Sequence, residues 1–326
     1  MNGVKQGAIL SPTLFSVYVD GLFNLLKSSG LGCNINGYFY GAVSYADDFV
    51  LLSPCRSGLQ KMIDIAKNFF DDNDLIISMN LENPDKSKTK CIAFGMKSDP
   101  LPLYIDENPI PWTNKYTHLG HVLCKDGTST EDILFKKRLF IGKYHSLCQL
   151  LKQKDPQVYM RLINVYLCDF YGSNLWSLFG KSIDQMYTTW NNMIRFVFKL
   201  PLQCHRYLIE PLSCNPHLKT QLINRFMNFY KSLYNSNRFI VRNLLSCQES
   251  DYRSDFGSNI LNILSSTKET NILSVNKNSY VYMPVENCNV WRISLLKDIL
   301  WERSQSYNSS FTPDELTEYI NFIACT

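Results

Sequence analysis

No stretch of this 326-residue chain runs for 18 apolar residues, and its N-terminus lacks the charged-then-apolar pattern of an export signal. Neither membrane insertion nor secretion is expected, and a nuclear or cytoplasmic location follows. The eleven cysteines are odd in number and include no closely spaced pairs, which argues against a disulfide framework and fits reduced thiols. Cys204, His205, Cys214 and His217 hold one Cys-x-x-His and no second compact pair, so scattered core residues and no zinc are expected there. No internal repeat is apparent. What the chain does have is apolar mass: at 45% hydrophobic and 13% aromatic content, it can bury a sizeable core and is expected to form two packed units.

The net charge of +4 hides a strong asymmetry. Residues 1–125 carry 11 basic and 12 acidic side chains, residues 126–245 carry 16 and 7, and residues 246–326 carry 6 and 10. The middle segment, at +9 and rich in Tyr and Phe, is where contact with a nucleic-acid backbone is expected. An ordinary solvated helical face is the other reading of such a segment.

Residues 1–125 alternate helix and strand. Ser11 is placed to cap a helix that Pro12 begins and Gly30 ends. A second helix spans about residues 57–70, with Leu59, Ile63, Ala66 and Phe70 at helical spacing. Short strands are expected near 91–94, 103–105 and 121–123. From Thr130 to about Arg242 the pattern is helical, with Asp155-Pro156, Asn215-Pro216 and Ser182 as helix starts. Three or four helices are expected, with Lys136, Lys137, Arg138 and Lys143 on the outside of the first. A Ser-, Asn- and Thr-rich stretch near 265–285 reads as a loop, followed by short helices near 291–301 and 313–322.

Tyr45-Ala46-Asp47-Asp48 interrupts two short aromatic and β-branched runs. Asp is a poor strand residue, so the pair marks the tip of a β-hairpin. Successive side chains of an extended backbone point to opposite faces, so one direct metal ligand, Asp47, and one supporting carboxylate, Asp48, are expected. Before the pair lies Gly3-Val4-Lys5-Gln6-Gly7-Ala8-Ile9-Leu10-Ser11-Pro12, a loop feeding a helix. After it come Lys86-Ser87-Lys88-Thr89-Lys90-Cys91-Ile92-Ala93-Phe94 and Tyr116-Thr117-His118-Leu119-Gly120-His121-Val122-Leu123.

In that order these blocks resemble a reverse transcriptase, and most closely the polymerases of non-LTR retrotransposons. Phe170-Tyr171-Gly172-Ser173-Asn174-Leu175-Trp176 and the run from Trp190 to Pro201 extend the likeness to about residue 245. The resemblance implies an α+β fold: a partial polymerase palm in residues 1–125, an all-α thumb-like domain in 126–245, and a C-terminal region of unknown role in 246–326. It implies RNA-directed DNA polymerisation with Mg²⁺, an RNA template, a DNA primer and deoxynucleoside triphosphates. Asp47 and Asp48 would be catalytic and metal-binding, and Gln6, Gly7, Tyr45, Lys88 and Lys90 would lie near the nucleotide. The choice among Lys86, Lys88 and Lys90 for proton donation stays open, as does whether Tyr45 stacks or packs locally. His118, Leu119 and Gly120 would form the primer grip, and Lys136, Lys137, Arg138 and Lys143 would hold the backbone. The family's first catalytic aspartate has no counterpart in this chain, so an N-terminally truncated fragment with an incomplete metal cage is expected. The alternative is a non-enzymatic nucleic-acid-binding remnant.

Overall fold

A computed structural model describes residues 9–274 except 81, 84, 85, 98, 99, 152–155, 203, 205–208, 210–212, 214 and 268–270. The helices expected near 291–301 and 313–322 lie outside the described residues. The fold is α+β, and its described part divides into two units. One takes the chain up to His118 together with Leu123–Gly127 and Arg238–Leu244; the other takes Leu119–Val122, Thr128–Asn237 and the chain from Leu245 onward. No described helix is long and apolar enough to cross a membrane.

The first unit is built on helices α1 (Ser11–Ser28) and α2 (Arg56–Asp72). Pro12 sits in the first turn of α1, where its missing N–H costs no intrahelical bond. The N-cap is Leu10 and not Ser11, because Leu10 already has right-handed helical angles and the helix starts a residue early. Leu22 and Leu26 of α1 meet Met62, Ala66 and Phe70 of α2, and Phe39, Ala42, Phe49 and Leu51 close over them. These four come from two hairpins, β1 (Asn34–Ile35) with β2 (Tyr38–Phe39) and β3 (Ala42–Tyr45) with β4 (Asp48–Leu51). The adjoining edge of the same α2 face packs Ile63 with Cys91, Leu103, Ile105 and Ile110. Leu103, Ile105 and Ile110 belong to a third hairpin, β5 (Leu103–Ile105) with β6 (Asn108–Ile110). The strand expected at 91–94 is a single bridge, Cys91 to Trp112. Cys91 alone finds ladder partners, at Pro111 and Thr113, before the chain turns at Phe94-Gly95. Strands β7 (Lys115–His118) and β8 (His121–Cys124) form a fourth pair.

The second unit is helical: α3 (Thr130–Leu150), α4 (Pro156–Tyr166), α5 (Lys181–Val197), α6 (Leu218–Tyr234), the second half of α7 (Phe239–Ser250) and α8 (Asp255–Thr267). Four of these described helices lie wholly within residues 130–242, where three or four were expected, and α7 and α8 extend beyond that stretch. Each turns an apolar stripe inward, and Trp176, Trp190, Phe226, Met160, Ile163 and Ile183 are all buried in one core. Two expected caps are displaced. Ser182 lies inside α5, which Gly180 caps, and its hydroxyl pairs with that of Thr130 at 2.8 Å. Asn215 turns toward Ser213 and Asn164, so α6 is capped instead by His217, whose Nδ1 accepts from the Lys219 N–H at 3.1 Å. Asp155 lies outside the described residues.

Candidate functional site

The β3–β4 hairpin pairs Ala42 with Leu51, Val43 with Val50, Ser44 with Phe49 and Tyr45 with Asp48. Directly paired residues share a face. Ala42, Phe49 and Leu51 face the α1–α2 core, which leaves Val43, Tyr45, Val50 and Asp48 on the other side. There Val43 is 52% and Tyr45 68% exposed, so Tyr45 is not packed locally. The tip is the two-residue turn Ala46-Asp47, with Ala46 at φ +52°, a left-handed angle uncommon for a residue with a side chain. Asp47 lies in the turn and Asp48 opens β4, and both are exposed. The flanking strands are half-buried and not enclosed on both sides, so water moderates the repulsion of two adjacent carboxylates.

Hard oxygen donors of this kind suit Mg²⁺ in type. Among the described residues, however, no three His, Cys, Asp or Glu side chains gather closely enough to hold a metal ion. Within the described residues the aspartate pair has no third such side chain beside it. Of the four residues weighed for zinc, His217 is engaged as a helix cap and buried Cys204 presents its carbonyl to Arg195. His205 and Cys214 lie outside the described residues, as do Gln6 and Gly7.

Tyr116 connects the hairpin tip to the lysine block. Burial pushes its phenol pKa up, and the Asp48 charge adds to the effect, so Asp48 is close enough to be felt. The Tyr116 hydroxyl donates to the backbone carbonyl of Lys88 at 2.9 Å, while the Lys88 side chain is exposed. Sequence reasoning missed Tyr116 as a site residue, although it opens a quoted block. The available signal was its place in a short strand two residues before His118.

Leu119 and Gly120, the central residues of the β7–β8 turn, have φ of +46° and +74°. Two left-handed residues in a two-residue hairpin loop make a type I′ turn. The Lys136 ammonium donates to the Gly120 carbonyl at 2.9 Å. Just beyond the turn, the wholly buried Asp132 accepts from the Val122 N–H at 2.9 Å and from the Trp176 indole at 2.6 Å. The Nδ1 of His121 lies 3.0 Å from the same carboxylate, without a well-aligned hydrogen bond. Gly172 packs against this histidine: a Cβ there would stand 3.0 Å from Nδ1, and its φ is +80°. The first helical cations therefore do not form one row. Lys136 reaches to the turn, Lys137 donates to Gln185 at 3.1 Å, and Arg138 and Lys143 are exposed.

Residues 1–123 match the family described as reverse transcriptase (RNA-dependent DNA polymerase). The chain is also 37% identical over 130 residues to the Retrovirus-related Pol polyprotein from type-2 retrotransposable element R2DM of Drosophila melanogaster. That alignment covers 36% of this chain and 11% of the relative, so the chain spans about a tenth of the relative's length. Both matches support the reverse transcriptase resemblance carried by the Tyr-Ala-Asp-Asp hairpin and its neighbouring blocks.

Proposed function

We propose that this chain, whose first part is reverse transcriptase sequence of the non-LTR retrotransposon type, serves RNA-directed DNA synthesis. The first unit supplies part of the polymerase palm and the basic helical unit acts as the thumb. The observation that carries this reading is the exposed Asp47–Asp48 turn, on a hairpin whose inner face is fixed by the α1–α2 core. The deoxynucleoside triphosphate and primer terminus approach its outer side, where Tyr45 offers an exposed ring. Lys88 and Lys90 lie beyond Tyr116 as cations for the triphosphate, and Gln6 and Gly7 contact nucleotide and template. His118, Leu119 and Gly120 guide the primer, and Arg138 and Lys143 neutralise backbone phosphates. Mg²⁺, when bound, would stabilise the attacking and leaving oxygens of nucleotidyl transfer. Asp47 and Asp48 would hold it with a third carboxylate from outside the described residues, and the chain is inactive without that ligand.

A second reading is favoured by the absence of a three-ligand cluster among the described residues: the chain binds RNA–DNA duplex through its basic segment without catalysis. Primer extension on an RNA template with Mg²⁺ separates the two. Incorporation by the wild type that is lost in Asp47→Ala supports polymerisation. Equal incorporation by both proteins rules out an Asp47-based polymerase. No incorporation, combined with salt-sensitive duplex binding, assigns the chain to the second reading.

A further inference from the structure

We propose that Tyr171 is a stacking platform for an unpaired base of a bound nucleic-acid strand, with Lys136 as the cation that fixes it. This rests on the reading of the chain as a nucleic-acid-handling polypeptide and adds to it a residue outside the hairpin tips.

The ring is held in place while much of it stays open. Tyr171 is 59% exposed, yet it lies beside Gly120, where an added Cβ would make ordinary contact with the ring at 3.5 Å. The Lys136 ammonium lies 5.6 Å from the Tyr171 centroid and 5.8 Å from that of Phe135. It is itself anchored on the Gly120 carbonyl. Gly172, the next residue, takes its left-handed angle against His121, which fixes the backbone that carries the tyrosine. Leu119 and Phe135, 39% and 38% exposed, add apolar surface from the same turn and helix.

An exposed aromatic ring pinned between a glycine turn and a cation loses little freedom when a flat partner settles on it. Bases are such partners, and stacking tolerates any sequence because every base has a π-face. Charge complementarity selects a nucleic acid over a protein: the segment from 126 to 245 carries a net +9. One of its seven acidic residues, Asp132, is buried and presents no charge to a ligand. An aromatic side chain interleaved with cations is the arrangement that tracks single strands.

The test is fluorescence anisotropy of the full chain with a labelled RNA–DNA hybrid carrying a single-stranded RNA overhang, titrated with salt. Tyr171→Ala is expected to weaken binding about tenfold while leaving the salt slope unchanged, and Tyr171→Phe to stay within about twofold of wild type. Wild-type affinity in Tyr171→Ala, with steep salt dependence retained, overturns the platform and leaves the nucleic-acid reading standing. Equal losses in Tyr171→Phe and Tyr171→Ala also overturn it, since the ring would not be what binds. A wild type that shows no binding overturns both. Self-association that disappears in Tyr171→Ala, measured by light scattering, would give the patch to a second copy and overturn the proposal.

Discussion

The indole nitrogen of Trp176 donates to Oδ2 of Asp132 at 2.6 Å, joining two blocks separated by 44 residues. The same carboxylate holds the Val122 N–H and lies beside His121, so one buried charge ties the β7–β8 turn to two segments of the helical unit. Removing it strands two donors, the Val122 amide and the Trp176 indole, and takes the neighbouring charge from His121. Asp132→Ala is expected to destabilise the chain by about 3 kcal/mol, read as a lower urea midpoint with an unchanged m-value.

The same residue sets an acid dependence. Burial alone would raise the Asp132 pKa, but the nearby His121 imidazole and donation from Trp176 and the Val122 amide outweigh it, and the net shift is downward. A group with a depressed folded pKa binds fewer protons when folded than when unfolded. Its contribution is therefore complete above the ordinary carboxylate range and is lost as pH falls below about 4. Urea midpoints measured from pH 6 down to about 3 should fall more steeply for wild type than for Asp132→Asn. Parallel curves would contradict this.

Leu119 occupies a turn position that favours Asn, Asp or Gly. Leu119→Asn is expected to raise stability by about 1 kcal/mol by relieving the left-handed strain. Thermal unfolding reports the gain. Weaker nucleic-acid binding in the same variant would show that the leucine serves contact in preference to stability.

Asp47 and Asp48 are exposed, so their neutralisation removes no buried partner. Asp47→Asn is expected to leave unfolding free energy within about 0.5 kcal/mol of wild type. A larger loss by urea denaturation would mean the carboxylate has a structural role.

Arg138 and Lys143 are the exposed cations of the first helical segment. Changing either to Gln should lower the slope of log affinity against log salt by about 1. Lys137→Gln is expected to change it less, because that ammonium is turned toward Gln185.

Local signals were legible where local physics decides. The α2 face was visible because Ile63, Ala66 and Phe70 recur at helical spacing and are buried. The hairpin was visible because two β-forming runs flank residues that strands disfavour. Helix starts were less legible, since Ser182 and Asn215 have the right chemistry but are engaged by Thr130 and by Ser213 with Asn164. Asp132 was not legible at all. Nothing in Thr130-Glu131-Asp132 separates an aspartate complementing a helix dipole from one enclosed by an indole and a strand amide. Lys136 failed similarly: its position on the helix gave no sign that the turn carbonyl of Gly120 would claim it.

Residues 238–244 belong to the first unit although more than a hundred residues separate them from the rest of it. Tyr40 donates to the Ile240 carbonyl, Asn36 to the Asn243 side chain, and Tyr38 meets Phe239 at 4.8 Å. During synthesis the N-terminal helices and hairpins therefore emerge from the ribosome well before the segment that completes them. They wait through the translation of residues 128–237, which carry α3 to α6, with the Tyr38–Tyr40 surface uncovered. Contacts spanning some 200 residues are slow to close. The surface that Ile240 and Phe239 cover is thus the one left open longest as the chain is made.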